Sequence, residues 1–298
     1  MEPSRTHTRR RLLAAAGVSV ATAGCLRLVG GGDDSTATDS GTGSFDPDER
    51  IERASAQLDV ELGADAIASP AIVGSCRADG QEVLDGAITF NAYTTEEEQI
   101  KYVDAVSREQ TTSPPAYSLA PQYAFDDDRR LRFSHTVSLS NDRPIITIET
   151  RVTNNGDRSV TIDRPDSHLH DGWLVTQLPR LADISGPYRY YVSGNNVYSA
   201  AESEYWQEHF VESDRPFVTN FDDEKGISVG ILDGPTGVTN AVTRRIDDEV
   251  GGIDLCVGGV VLDPDATATY RSVVAVHDGG EAVPDRPREL IDAAAETG

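Results

Sequence analysis

Along most of the chain, apolar and polar residues alternate. Leu131, Phe133, His135, Val137 and Leu139 occupy one parity, with Arg132, Ser134, Thr136 and Ser138 on the other, the period of a half-buried strand. Ile146, Ile148, Thr150 and Val152 repeat the pattern, and Asn154-Asn155-Gly156-Asp157 is a strong turn signal before Val160 and Ile162. A three-stranded meander is expected there. Further strands are expected at Trp173 to Leu178, Tyr188 to Val192, Phe217 to Phe221, Ile227 to Leu232, Ile253 to Val257 and Ala268 to Val276. Helical spacing is sparse: Glu49 to Leu58, Glu96 to Val106, and Arg286 to Ala295. Many strands, few helices and Gly- and Pro-rich connections predict an all-β fold, a large antiparallel sandwich with a few short peripheral helices.

The first 48 residues do not follow this pattern. Arg9, Arg10 and Arg11 precede an apolar stretch from Leu12 to Ala23, too short to span a bilayer stably. The arginines resemble a twin-arginine export signal, and Thr22-Ala23-Gly24-Cys25 resembles a lipobox, in which small residues expose the bond before a cysteine that receives a lipid. That resemblance implies a signal peptide over 1–24, lipidation of Cys25, and a protein held at the outer face of the cell membrane by this anchor alone. Residues 30–48 are mostly Gly, Ser, Thr and Asp with Phe45 the one large apolar side chain, too polar to fold. They extend the anchor into a flexible tether over 25–48. The remaining 49–298 show no composition break or repeat and suit one large domain.

Charge narrows the range of partners. The chain carries a formal net charge of -24, and only Lys101 and Lys225 are lysines among 26 basic residues. Such a field repels phosphates, which argues against nucleic acid as a partner. Acidic surplus with almost no lysine resembles the proteins of extreme halophiles, whose carboxylates are screened by salt.

Three cysteines are present. With Cys25 assigned to lipid, Cys76 and Cys256 permit one disulfide in an exported protein, and two separate buried thiols suit the sequence equally. No phosphate-binding loop, dinucleotide fingerprint, serine-hydrolase elbow or zinc-protease helix occurs, so no cofactor is expected.

The stretch from Ile146 to Ile162, with Thr153-Asn154-Asn155-Gly156-Asp157 at its centre, is followed by Pro165-Asp166-Ser167-His168-Leu169-His170. It resembles the centre of the galactose mutarotase-like β-supersandwich, also called aldose 1-epimerase-like. Val261-Leu262-Asp263-Pro264-Asp265-Ala266 is similar to that family's closing hairpin, usually Leu-x-Pro-Gly-Glu. The resemblance implies a sugar cleft with a histidine acid, placed here at His168 or His170, facing a glutamate base. The matching stretch for the base is Gly252 to Val257, where Asp254 and Cys256 stand and no glutamate does. It therefore implies a protein that binds or acts on carbohydrate, with a non-catalytic use open beside an epimerase-like one.

Two constellations carry candidate chemistry. His168, His170 and Asp171 form His-x-His-Asp, two imidazoles on one face at strand spacing, able to meet a sugar or share a metal. A metal needs three or four donors, so none is assigned. Between Tyr188 and His209, aromatic rings are interleaved with Asn and Glu, which suits pyranose stacking plus hydroxyl recognition. Tyr191, Glu204, Trp206 and His209 are its candidate ligand contacts. The rival expectation is an immunoglobulin-like sandwich in a structural surface lipoprotein without a small-molecule site, which needs only seven to nine strands in roughly 100 residues.

Overall fold

The computed structural model describes residues 51–54, 57–62, 71–92, 101–112, 115–124, 130–162, 174–192, 197–199, 206–210, 215, 217–233, 239–245, 251–257, 260–280, 283 and 285–296. In chain order the strands are β1 (Ile51–Ala54), β2 (Asp59–Leu62), β3 (Ala71–Val73), β4 (Ser75–Ala78), β5 (Gln81–Glu82), β6 (Leu84–Asp85), β7 (Ile88–Ala92) and β8 (Lys101–Thr112). There follow β9 (Pro115–Ala124), β10 (Arg130–Leu139), β11 (Ile145–Asn154), β12 (Val160–Ile162), β13 (Leu174–Leu178), β14 (Arg180–Leu181), β15 (Arg189–Val192) and β16 (Val197–Ser199). The chain continues through β17 (Trp206–Phe210), β18 (Phe217–Phe221), β19 (Lys225–Asp233), β20 (Thr239–Arg245), β21 (Gly251–Val257), β22 (Val260–Leu262) and β23 (Thr267–Asp278) to the helix α1 (Asp285–Glu296).

Two sheets dominate. One has nine strands in the order β16-β15-β18-β19-β23-β11-β10-β9-β8, the other six in the order β17-β20-β21-β13-β7-β3. Every strand pairing among the described residues is antiparallel. Leu131, Phe133, Val137, Ile148, Val152 and Val274 from the first sheet join Ile88, Phe90 and Leu178 from the second in one buried cluster, so the sheets stack face to face. This is an all-β supersandwich in which both large sheets draw strands from across 71–278, not an immunoglobulin-sized unit.

The alternation in β10 and β11 holds residue by residue. Leu131, Phe133, His135, Val137 and Leu139 are buried while the residues between them are half exposed, and Ile146, Ile148, Thr150, Val152 and Asn154 do the same across the ladder. The expected meander stops at two strands. β11 pairs next with β23, and β12 leaves the sheet to pair with β22 through Val160↔Leu262 and Ile162↔Val260.

Asn154 explains the departure. Its side-chain amide donates to the carbonyl oxygens of Arg158, 2.8 Å away, and Leu262, 2.9 Å away, while Oδ1 accepts the Gly156 N–H at 2.9 Å. Its backbone also pairs with Ala266 and Asp265. The turn after β11 is thereby tied to the turn between β22 and β23. In that turn Ala266 N–H donates to Asp263 O across Pro264 and Asp265. Asp265 has φ 64°, the left-handed conformation for which glycine is the usual choice.

Two of the three expected helices are strands. Within the stretch expected as a helix from Glu49 to Leu58, Ile51–Ala54 form β1, paired with β2 through Ile51↔Leu62 and Ala54↔Asp59, and residues 49, 50, 55 and 56 lie outside the described residues. The segment expected as a helix up to Val106 enters β8, a twelve-residue strand on the edge of the nine-stranded sheet paired with β9. Val103, Val106, Thr111 and Thr112 suit a strand, and an available ladder partner outweighs a weak helical period. Residues 96–100 lie outside the described residues.

The C-terminal helix is found as expected. Pro287, Leu290, Ile291 and Ala294 make its buried stripe, with Asp285 at its positive end. It covers Ile145, Phe217, Phe221, Leu232 and Val273 on the outer face of the nine-stranded sheet. Covered on both sides, β18 is wholly buried and β19 nearly so, which is why their sequences run continuously apolar or small.

Candidate functional site

The six-stranded sheet carries the candidate site, and its register sorts residues onto two faces. His209, Ala241, Leu255, Thr176 and Phe90 form one row across β17, β20, β21, β13 and β7. Phe90 and Thr176 are buried, so that row faces the sandwich interior. The row one residue away holds Glu208, Val242, Asp254, Gln177 and Thr89, where Gln177 and Thr89 are only half-buried. Thr89 Oγ1 lies 3.4 Å from Gln177 Oε1, to which it donates. This second parity is the outer face.

Strand parity then fills the outer face. Trp206 is opposite Arg244, and two residues along β21 from Asp254 come Cys256, flanked by Asn240, and Asn91 beyond β13. By register, Trp206, Glu208, Asn240, Arg244, Asp254 and Gln177 thus share one parity of the sheet, together with Phe210, Val242, Val175 and Cys256. Glu208 and Asp254 share a row two strand spacings apart, roughly 10 Å.

The expected site residues meet different ends. Trp206 and His209 are three residues apart in β17, so register assigns them to opposite faces, Trp206 to the outer and His209 to the inner. Tyr191, expected at a cleft, instead packs in the nine-stranded sheet beneath α1, its ring centroid 5.8 Å from Phe217. At that position the strand is covered by the helix, which turns an aromatic into packing. His168, His170, Asp171, Glu204 and Cys25 lie outside the described residues. Cys76 is a free buried thiol on β4, so the Cys76–Cys256 bridge is not formed and the alternative of an unbridged thiol holds there. Burial, with Glu82 nearby, pushes that thiol up to about 12. Among the described residues no group of three or more His, Cys, Asp or Glu could hold a metal. No described helix is long and apolar enough to cross a membrane.

Polar groups also meet inside the sandwich. His135, Thr150 and Tyr270 are adjacent across β10, β11 and β23, and His135 Nδ1 lies 3.0 Å from Thr150 Oγ1. The imidazole sits 5.0 Å from Phe90 and 6.0 Å from Phe133, centroid to centroid. Full burial lowers its pKa from 6.5 to about 3, so it is neutral. Burial drives the Tyr270 phenol well above its usual value, against a smaller opposite pull from the hydroxyls of Thr150 and Thr176. Tyr270 Oη makes no hydrogen bond of good geometry there.

Sequence reasoning named Asp254, Cys256 and Trp206 but missed Glu208, Arg244, Asn240, Gln177 and Asn91. Each belongs to a strand of the six-stranded sheet, and only the cross-strand register shows that they share one parity.

The fold now bears comparison with solved structures. A GH36 α-galactosidase, AgaB, from Geobacillus stearothermophilus matches 80% of this chain at 10% identity and a TM-score of 0.53. A second Geobacillus stearothermophilus α-galactosidase, a variant of AgaA in complex with raffinose, matches 78% at 10% identity and a TM-score of 0.50. A galactose mutarotase-like protein from Clostridium acetobutylicum matches 77% of this chain and 95% of its own length, at 8% identity and a TM-score of 0.51. The chain spans 41% of the length of each of these two α-galactosidases. No protein family matches at the sequence level, and no curated protein does. The architecture is therefore the all-β sandwich of galactose mutarotase-like domains.

Proposed function

We propose that the chain is an exported, lipid-anchored protein that binds carbohydrate on the outer face of its six-stranded sheet. The observation that carries this reading is the shared parity: Trp206, Glu208, Arg244, Asn240, Asp254 and Gln177 fall on one side of the six-stranded sheet by register, with Val242 between Glu208 and Asp254. A ring for the pyranose face, amides and a guanidinium for hydroxyls, and two carboxylates make up a sugar-binding set. Fold neighbours that include a raffinose-bound α-galactosidase and a mutarotase-like protein support the same ligand class. His168, His170 and Asp171 precede β13 in the chain and Glu204 precedes β17, and all four remain candidate sugar contacts in this reading.

Binding without turnover is the favoured form. Asp254 stands on β21 where the mutarotase-like pattern has a glutamate base, and one methylene less shortens its reach to an anomeric hydroxyl. Anchoring through Cys25 at the outer membrane face places this surface among extracellular glycans. Titration of galactose and raffinose into the protein in concentrated KCl, followed by polarimetry of α-galactose, separates the two forms. Saturable heat with no acceleration of mutarotation supports the binder, acceleration supports the epimerase, and neither response contradicts the reading.

A further inference from the structure

One edge of the nine-stranded sheet is long, and its sequence complements itself. β8 ends the sheet order, and among the described residues only β9 pairs with it. Its twelve residues include no proline, so none lacks a backbone N–H. An outer strand of this length is a template for a further strand.

The ladder to β9 assigns each residue a side. Lys101 and Glu109 stand opposite Ala124 and Ser118, which pair in turn with Arg130 and Thr136, the exposed and half-exposed parity of β10. Tyr102 and Arg108 stand opposite Tyr123 and Leu119, which pair with Leu131 and His135, the buried parity. Lys101 and Glu109 therefore share one side of the sheet by register, and Tyr102 and Arg108 the other. Two register shifts lie between them, at Tyr102/Asp104 and at Ala105/Arg108. Each inserts one extra residue in β8, Val103 in the first and Val106 or Ser107 in the second.

We propose that β8 is a self-association edge, where the β8 strands of two copies of this chain pair antiparallel about a two-fold axis at Ala105. In that register Lys101 stands opposite Glu109 of the second copy on one side of the sheet, and Tyr102 opposite Arg108 of the second copy on the other. The two-fold repeats both pairs. Each joins complementary chemistry, an ammonium with a carboxylate and a phenol ring with a guanidinium. The bulges also match. Val103 comes opposite Ser107 of the second copy, so the extra residue of one strand meets the stretch holding the extra residue of the other.

Neighbouring registers fail on charge or on side. A two-fold midway between Asp104 and Ala105 sets Lys101 against Arg108, two cations, and one midway between Val106 and Ser107 sets Asp104 against Glu109, two anions. A two-fold midway between Ala105 and Val106 forms no ion pair. One at Val106 sets Asp104 against Arg108, but the intervening shift gives Asp104 the parity of Arg132 and Arg108 that of His135. The formal charge of -24 opposes any close approach of two copies, and Lys101, one of only two lysines, stands where it meets a carboxylate. Concentrated salt screens the general repulsion and leaves the backbone ladder in place.

Sedimentation equilibrium of the full chain in concentrated KCl should show a reversible monomer–dimer equilibrium. In the wild type, hydrogen exchange at 101–109 should slow as concentration rises through the dimerisation midpoint. Lys101→Glu and Glu109→Lys should each weaken the dimer roughly fivefold by setting like charges opposite one another, and the double swap should restore the wild-type value. Ala105→Cys, at the self-paired position, should give a covalent dimer on mild oxidation above the wild-type background, joined at position 105 by mass spectrometry. Val103→Cys, which stands opposite Ser107 of the second copy, should not. A monomer at every concentration, a dimer indifferent to both charge reversals, a double swap that fails to restore it, or linkage at 103 in place of 105 would each overturn the proposal. None of these readouts involves carbohydrate.

Discussion

The side-chain amide of Asn154 donates to the carbonyl oxygen of Leu262, 2.9 Å away in space and 108 residues along the chain. This bond ties the end of β11 to β22, and the same side chain accepts from Gly156 and donates to Arg158. Asn154→Ala removes all three and leaves the Leu262 carbonyl without that donor in a buried setting. The expected loss is about 2–3 kcal/mol, read as a lower midpoint in urea with an unchanged slope.

His135 makes the sandwich acid-sensitive. It is buried and neutral with a pKa of about 3, below the 6.5 of a free imidazole. Unfolding therefore takes up a proton between those values, and stability that is full above pH 6.5 declines as pH falls toward 3. One group gives a slope of about 1.4 kcal/mol per pH unit at most. His135→Leu should flatten this limb of the stability curve between pH 6 and 4 in equilibrium unfolding.

Cys76 should be silent. Its thiol is buried, free and pushed up to about 12, so almost no thiolate exists near neutrality. Thiol reagents should label it only after denaturation, and reducing agent should leave the thermal midpoint unchanged. A shift on reduction would show a bridge that the fold does not contain.

The formal charge of -24 with two lysines makes salt a structural variable. Carboxylates repelling one another across the surface are screened within a Debye length of about 10 Å at 0.1 M and about 3 Å at 1 M. The midpoint of thermal unfolding should rise steadily as KCl is raised over that range, and a flat response would show that the acidic surface exerts no strain on the folded state.

Strands were legible wherever burial was one-sided. In β10 and β11, period-two alternation marks the core residues individually, because one face meets the second sheet and the other meets solvent. The motif pair Thr-Asn-x-Gly-Asp and Leu-x-Pro also pointed to a supersandwich, and Asn154 ties the two motifs together. The helices misread at β1 and β8 show the limit: their identity comes from a ladder partner, and periodicity over ten residues does not reveal one. The site was harder still. Asp254 drew notice through resemblance, yet Glu208 and Arg244 were passed over, since each shares its face only through β20, which no sequence pattern had marked. Tyr191 misled because an aromatic beside polar residues looks alike in a cleft and under a helix.

Calorimetric titration of raffinose in concentrated KCl, comparing the wild type with Trp206→Ala and Asp254→Asn, reads the sugar face itself. Binding should be saturable in the wild type and at least tenfold weaker in each variant, while far-UV circular dichroism and the urea midpoint stay unchanged. Binding that both substitutions leave intact, or no binding by the wild type to any neutral sugar, would contradict it.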